Sequence, residues 1–121
     1  MLLKPLDKLL NIFYTKKTMK KKIRNSDTFD NWFGKLHDKR AIAKIAARID
    51  RLAEGNPGDV EPIGEGCSEL RIHFGPGYRV YYKDAGREII LLLCGGDKST
   101  QQKDINKALE IARFYEEGAR I

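Results

Sequence analysis

Arg71, His73, Arg79, Tyr81, Lys83 and Lys98 are the residues of this chain whose types and spacing suit shared chemistry. Arginine forks hold anionic oxygens through several donors and keep their protons near neutral pH, whereas histidine exchanges one there. A lysine beside them adds positive charge or a transferable proton. No carboxylate lies between Leu70 and Lys83, where five of the six fall. The set therefore suits holding an anionic group and moving a proton next to it.

Strands must position these groups. In LRIHFGPGYRVYYK, Leu70, Ile72 and Phe74 alternate with Arg71 and His73. After Gly75-Pro76-Gly77, Tyr78, Val80 and Tyr82 alternate with Arg79, Tyr81 and Lys83, so the stretch reads as a β-hairpin. A three-residue loop pairs Phe74 with Tyr78, His73 with Arg79, and Arg71 with Tyr81. One face is then core and the other basic, although like charges on paired strands repel. The unbroken apolar run Ile89–Cys94 reads as a strand buried on both faces. Its end, Gly95-Gly96-Asp97, delivers Lys98 to the same neighbourhood.

The rest of the chain supplies a frame. Lys20–Arg24 reads as a short edge strand. Ser26 or Asp27 caps a helix with Phe29, Trp32, Phe33 and Leu36 inward, and a second helix runs over about Lys39–Glu54 until Gly55-Asn56-Pro57-Gly58. Val60–Gly66 is a loop or short strand. Ser99 or Thr100 caps a last helix with Ile105, Leu109 and Ala112 inward. The expected architecture is α+β: a twisted, antiparallel-rich sheet with two N-terminal helices packed on it and a C-terminal helix. The length of 121 residues fits one domain with a single hydrophobic core.

Charge narrows the reading. Residues 1–24 carry eight of the 23 Lys/Arg and one of the 17 Asp/Glu, a local +7, so the remaining chain sums to −1. The overall +6 is thus no argument that the folded body binds nucleic acid; only the local hairpin grouping is. Cys67 and Cys94 are far apart, without metal-ligand spacing, and read as reduced and structural. No segment approaches a membrane span. Residues 1–18 make a poor signal peptide and read as an N-terminal extension, either frayed or a short amphipathic helix, ahead of a domain over 19–121. A cytoplasmic location is expected, with no membrane partner.

Each candidate has a plainer role. Arg79 and Lys83 also fit an ordinary solvated strand face, and His73 alone fits a structural one. Asp97 reads better as a helix cap or partner of Lys98, and Glu69 as a neutraliser of Arg71. Gln101 and Asp104 read as contacts between the last helix and the sheet. Arg40, Lys44, Arg48 and Arg51 read as a helix exterior.

The stretches ARIDRLAEGNPGDVEPIGEG, SELRIHFGPGYRVYY and LLLCGGDKSTQQKDI give the chain a resemblance to the RelE/ParE toxin superfamily. It looks closest to the HigB-like branch, often labelled addiction module killer or phage Gp49-like proteins. The likeness runs from about Thr28 through the last helix; residues 1–18 lie outside it, and Met19 would be an ordinary start for this family. The resemblance implies a small toxin that cleaves messenger RNA on the translating ribosome, with no cofactor and no metal. It implies a cognate helix-turn-helix antitoxin as partner, with operator DNA contacted only through their complex.

RNA cleavage without a metal needs a base for the 2′-hydroxyl, positive charge on the phosphorane and an acid for the leaving 5′-oxygen. His73 is assigned as base, Arg71 and Arg79 as phosphate clamps, and Lys98 as charge stabiliser or acid. Tyr81 would offer a ring for base stacking, and Lys83 a further RNA contact. The late tyrosine important in RelE is missing, since that region reads Gln102-Lys103-Asp104. A histidine near the C-terminus, frequent in HigB proteins, is missing too. The competing readings are a ParE-like inhibitor of DNA gyrase, which needs no such cluster, and an inactive prophage remnant that only binds its antitoxin.

Overall fold

The computed structural model describes residues 20–86 and 88–116; the expected N-terminal extension, residues 1–18, lies outside them. The elements follow in the order β1 (Lys22–Asn25), α1 (Asp27–Gly34), α2 (Lys39–Ala53), β2 (Val60–Gly64), β3 (Cys67–Ile72), β4 (Tyr78–Asp84), β5 (Ile89–Asp97), a 3-10 turn (Lys98–Thr100) and α3 (Gln101–Glu116). They build one five-stranded sheet in the order β1-β5-β4-β3-β2. Only the β1–β5 pair is parallel; the other three pairs are antiparallel. This is the expected mixed α+β architecture.

Local chemistry explains the helices. Ser26 caps α1: its hydroxyl accepts from the Phe29 N–H at 3.0 Å and donates to the Leu93 carbonyl at 2.6 Å. The cap therefore also ties α1 to β5, a bond worth about 1 kcal/mol at such positions. Asp38 caps α2 through the N–H groups of Arg40 and Ala41. Of the caps expected ahead of the last helix, Asp97 rather than Ser99 or Thr100 is the one that serves: it caps the 3-10 turn leading into α3, accepting from the Ser99 N–H at 2.8 Å. Thr100 instead donates to Asp104 at 2.5 Å.

The sheet carries an apolar cluster on each face rather than a single core. On the α1/α2 side, Phe29, Ile45 and Leu52 pack on Leu70, Ile72, Val80, Tyr82, Ile90 and Leu92. On the α3 side, Ala108 and Ala112 lie against Cys67, Tyr81, Leu91, Leu93 and Cys94. Gly95 and Gly96 serve these two sides separately. A Cβ on Gly95 would collide with the Trp32 ring of α1, and one on Gly96 with the Asp104 carboxylate of α3. The paired glycines let one helix approach from each face of the same strand end.

Candidate active site

The turn after β3 sets the geometry. Ile72 is the last paired residue, so five residues, His73–Gly77, join β3 to β4 instead of three. The Phe74 N–H closes onto the Ile72 carbonyl at 2.9 Å, and the Gly77 N–H onto the Phe74 carbonyl at 3.1 Å. Gly75 and Gly77 take φ of 56° and 79°, which a side chain resists. The register is consequently two residues from the one expected: Arg71 lies opposite Arg79, Glu69 opposite Tyr81, and Ile72 opposite Tyr78. A shift of two keeps every side chain on its face and changes only its neighbours.

Two like charges opposite each other require a counterion, and Glu69 supplies it. Its carboxylate is 1% exposed and accepts from Arg71 Nε at 2.9 Å, Gln101 Nε2 at 2.9 Å and Tyr81 Oη at 3.0 Å. Arg79 Nε stands 3.8 Å away, too far for a hydrogen bond. Burial pushes the Glu69 carboxyl up, but the bonds from Arg71, Gln101 and Tyr81 and the charge of Arg79 outweigh it. The group ends below the ordinary carboxylate range. A carboxylate so held is a poor proton acceptor.

Arg79 is the unusual member. Its side chain is only 10% exposed, yet its buried Nε has no hydrogen-bond partner. Its strand neighbours are Arg71 on one side and Gly96 on the other, with Asp104 resting over the glycine. A buried N–H without a hydrogen-bond partner is costly unless something binds it. Arg71 is more open and is already engaged by Glu69, with Glu61 at 3.9 Å.

His73 sits in the turn, 73% exposed, with Nε2 2.5 Å from Asp59 Oδ2. The hydrogen bond from His73 holds the Asp59 carboxyl below its ordinary range. An ionised carboxylate only accepts, so Nε2 donates in this bond and Nδ1 is the ring nitrogen turned away from Asp59. Asp59 is itself fixed from behind. Arg48 donates to the carbonyls of Arg71 at 2.5 Å, Pro57 at 2.9 Å and Asp59 at 3.2 Å. Lys98 is exposed in the 3-10 turn, where a Cβ on Gly77 would meet its own Cβ at 3.4 Å. The hairpin turn and the end of β5 thus bring Lys98 beside the loop that carries His73.

Three expectations need correction. Tyr81 cannot stack on a base: its ring is fully buried under α3, and its hydroxyl is committed to Glu69. Burial, then the Glu69 charge, push its phenol up, so it stays a donor. Lys83 does not join the cluster. It lies opposite Cys67 and Leu91, pairs with Glu116 of α3, and is about 13 Å along β4 from Arg79. Arg48, read as helix exterior, is in fact half-buried and clamps the main chain. The sequence reading missed Asp59 altogether. Recognising Val60 as the strand partner of Leu70 would have placed Asp59 beside Arg71 and near His73.

Such a site can hold an anion on Arg79, balance Arg71 against Glu69, and move a proton through His73. Paired basic strands under a C-terminal helix, on a sheet with one parallel edge, define a RelE-like α+β domain. Residues 31–114 match the family described as Phage derived protein Gp49-like (DUF891). An uncharacterized protein of Haemophilus influenzae is 53% identical over 91 residues, covering 75% of this chain and 92% of the relative. The chain belongs to this Gp49-like phage-derived family, a RelE/toxin-like family. No solved structure matches the chain.

Proposed function

We propose that the chain is the toxin of a type II toxin–antitoxin module, of the HigB-like branch, that cleaves messenger RNA on the translating ribosome. The observation that carries this reading is Arg79: a buried guanidinium, cross-strand from Arg71, whose Nε has no partner. A phosphate diester supplies what it lacks, two oxygens matched to a guanidinium fork. In the proposed reaction His73 Nδ1 takes the 2′-hydroxyl proton, and the 2′-oxygen attacks the adjacent phosphorus. Arg79 and Arg71 hold the non-bridging oxygens of the phosphorane, while Lys98 gives a proton to the departing 5′-oxygen. The products are a 2′,3′-cyclic phosphate and a free 5′-hydroxyl, formed without a metal. The partner is a cognate helix-turn-helix antitoxin, which carries the complex to operator DNA, and the site of action is the cytoplasm.

The test is expression in a sensitive host, with RNA 5′-ends and plasmid supercoiling followed together. New ends inside translated codons, lost in His73→Ala and Arg79→Lys while both variants stay folded, are the expected result. Intact messages with altered supercoiling and a DNA-damage response would assign the chain to gyrase inhibition instead.

A further inference from the structure

We infer that Glu69 is a positioning residue: its buried carboxylate ties up Arg71 and leaves Arg79 charged but unbonded, so that one arginine is fixed and the other is kept for phosphate. The inference rests on the cleavage reading for its effect on turnover, but not for its effect on the two arginines.

Three features separate this role from ordinary salt bridging. First, the donors come from three different elements: Arg71 from β3, Tyr81 from β4 and Gln101 from the first residue of α3. The carboxylate is therefore the point where the helix is registered on the sheet. Second, these three bonds use both oxygens, Oε1 for Arg71 and Oε2 for Tyr81 and Gln101. Arg79 approaches Oε2 only to 3.8 Å, so it feels the charge without surrendering a donor. Third, the α3 end is held close by Gly96, where Asp104 occupies the space of the missing side chain. A displaced helix would withdraw Gln101 and loosen Glu69.

The arrangement has an unusual consequence. Glu69 competes electrostatically with an incoming phosphate, so it weakens anion binding while it improves alignment. Removing its charge should give a protein that binds more tightly and reacts more slowly. A merely structural salt bridge would instead lower stability and leave both constants alone.

The experiment compares the full-length wild type with Glu69→Gln. Arginine Nε–H signals are followed by 15N NMR during titration with inorganic phosphate, and turnover is measured on programmed ribosomes. In the wild type the Arg71 Nε–H should exchange slowly and ignore phosphate, while the Arg79 Nε–H shifts with it. In Glu69→Gln the Arg71 protection should disappear, phosphate affinity should rise roughly fivefold, and kcat should fall about 10- to 100-fold without an increase in KM. Should the amide not fold in place of the carboxylate, Tyr81→Phe removes one donor and leaves the charge, so it should weaken Arg71 protection and lower kcat to a smaller extent with no gain in phosphate affinity. Unchanged arginine signals with unchanged phosphate affinity would overturn the inference. So would loss of the acidic limb of the pH–rate profile in Glu69→Gln, which would make Glu69 the base itself. If the wild type cuts no RNA while the arginine signals and phosphate affinity respond as stated, the cleavage reading fails and the positioning role stands.

Discussion

At the scale of single residues, Glu69 also makes a stability statement. Its folded-state carboxyl lies below the ordinary range, because its hydrogen bonds and Arg79 outweigh burial. A depressed carboxyl contributes stability that is fully present above its unfolded value, about 4.3, and is lost as pH falls through the lower folded value. Urea melts of wild type and Glu69→Gln should therefore differ most at pH 6 and converge as the pH is lowered through and below the ordinary carboxylate range; a gap that holds constant with acid would contradict the assignment. Cys94 behaves differently. Burial, with Asp104 nearby, pushes its thiol up to about 12. The thiolate is the reactive form, so native Cys94 should resist iodoacetamide at pH 8 and label only at the rate of unfolding. Rapid labelling of folded protein would show that the α3 side opens locally.

At the scale of elements, the two glycines of β5 give contrasting predictions. Gly95→Ala drives a methyl into the Trp32 ring and should cost about 2 kcal/mol, read from urea midpoints, while cleavage per folded molecule persists. Gly96→Ala presses on Asp104 and α3, so it should loosen the Gln101–Glu69 bond and reduce turnover as well. Gly34→Ala, in the last turn of α1 with nothing within 4 Å, should leave turnover unchanged and cost no stability, and serves as the control. Equal effects of all three on turnover would refute this division of labour. The elements themselves were legible from caps, periodicity and turn residues, because those signals are local. Side-chain faces were legible too, since an odd-length turn of three or five residues preserves alternation. Neighbours were not. Whether Arg71 meets Tyr81 or Arg79 depends on a two-residue difference in loop length that no local pattern encodes. Glu69, one residue outside the carboxylate-free window, was legible as a neutraliser of Arg71, but its bonds to Tyr81 and Gln101 and its place between two arginines were not. Tyr81 looked like a surface ring because the position of α3 over it is a tertiary fact. Asp59 was invisible for the same reason: it reaches His73 only through the pairing of β2 with β3.

For the whole molecule, charge and site are separated along the chain. The body after residue 24 sums to −1, while residues 1–24 hold +7. The described site already counts Asp59, Glu61 and Glu69 among the near neighbours of Arg71, Arg79 and His73. On the proposed reading, recognition of phosphate therefore comes from placement of a few donors, not from a general positive field. If the chain binds RNA as proposed, non-specific attraction comes mainly from the first 24 residues, and each phosphate neutralised contributes about −0.7 to the slope of log affinity against log salt for single strands. Residues 1–18 alone supply four Lys against one Asp. A chain shortened to residues 19–121 should thus bind mixed-sequence single-stranded RNA more weakly and with a shallower salt dependence, by about two units of slope if three phosphates are released. Its kcat on programmed ribosomes should stay within about twofold, because no catalytic donor is removed and an interaction lost from substrate and transition state alike changes KM alone. A large fall in kcat on shortening would mean that the first residues act in the chemistry. An unchanged salt slope would mean that the attraction belongs to the body after all, and the separation of charge from site would be wrong.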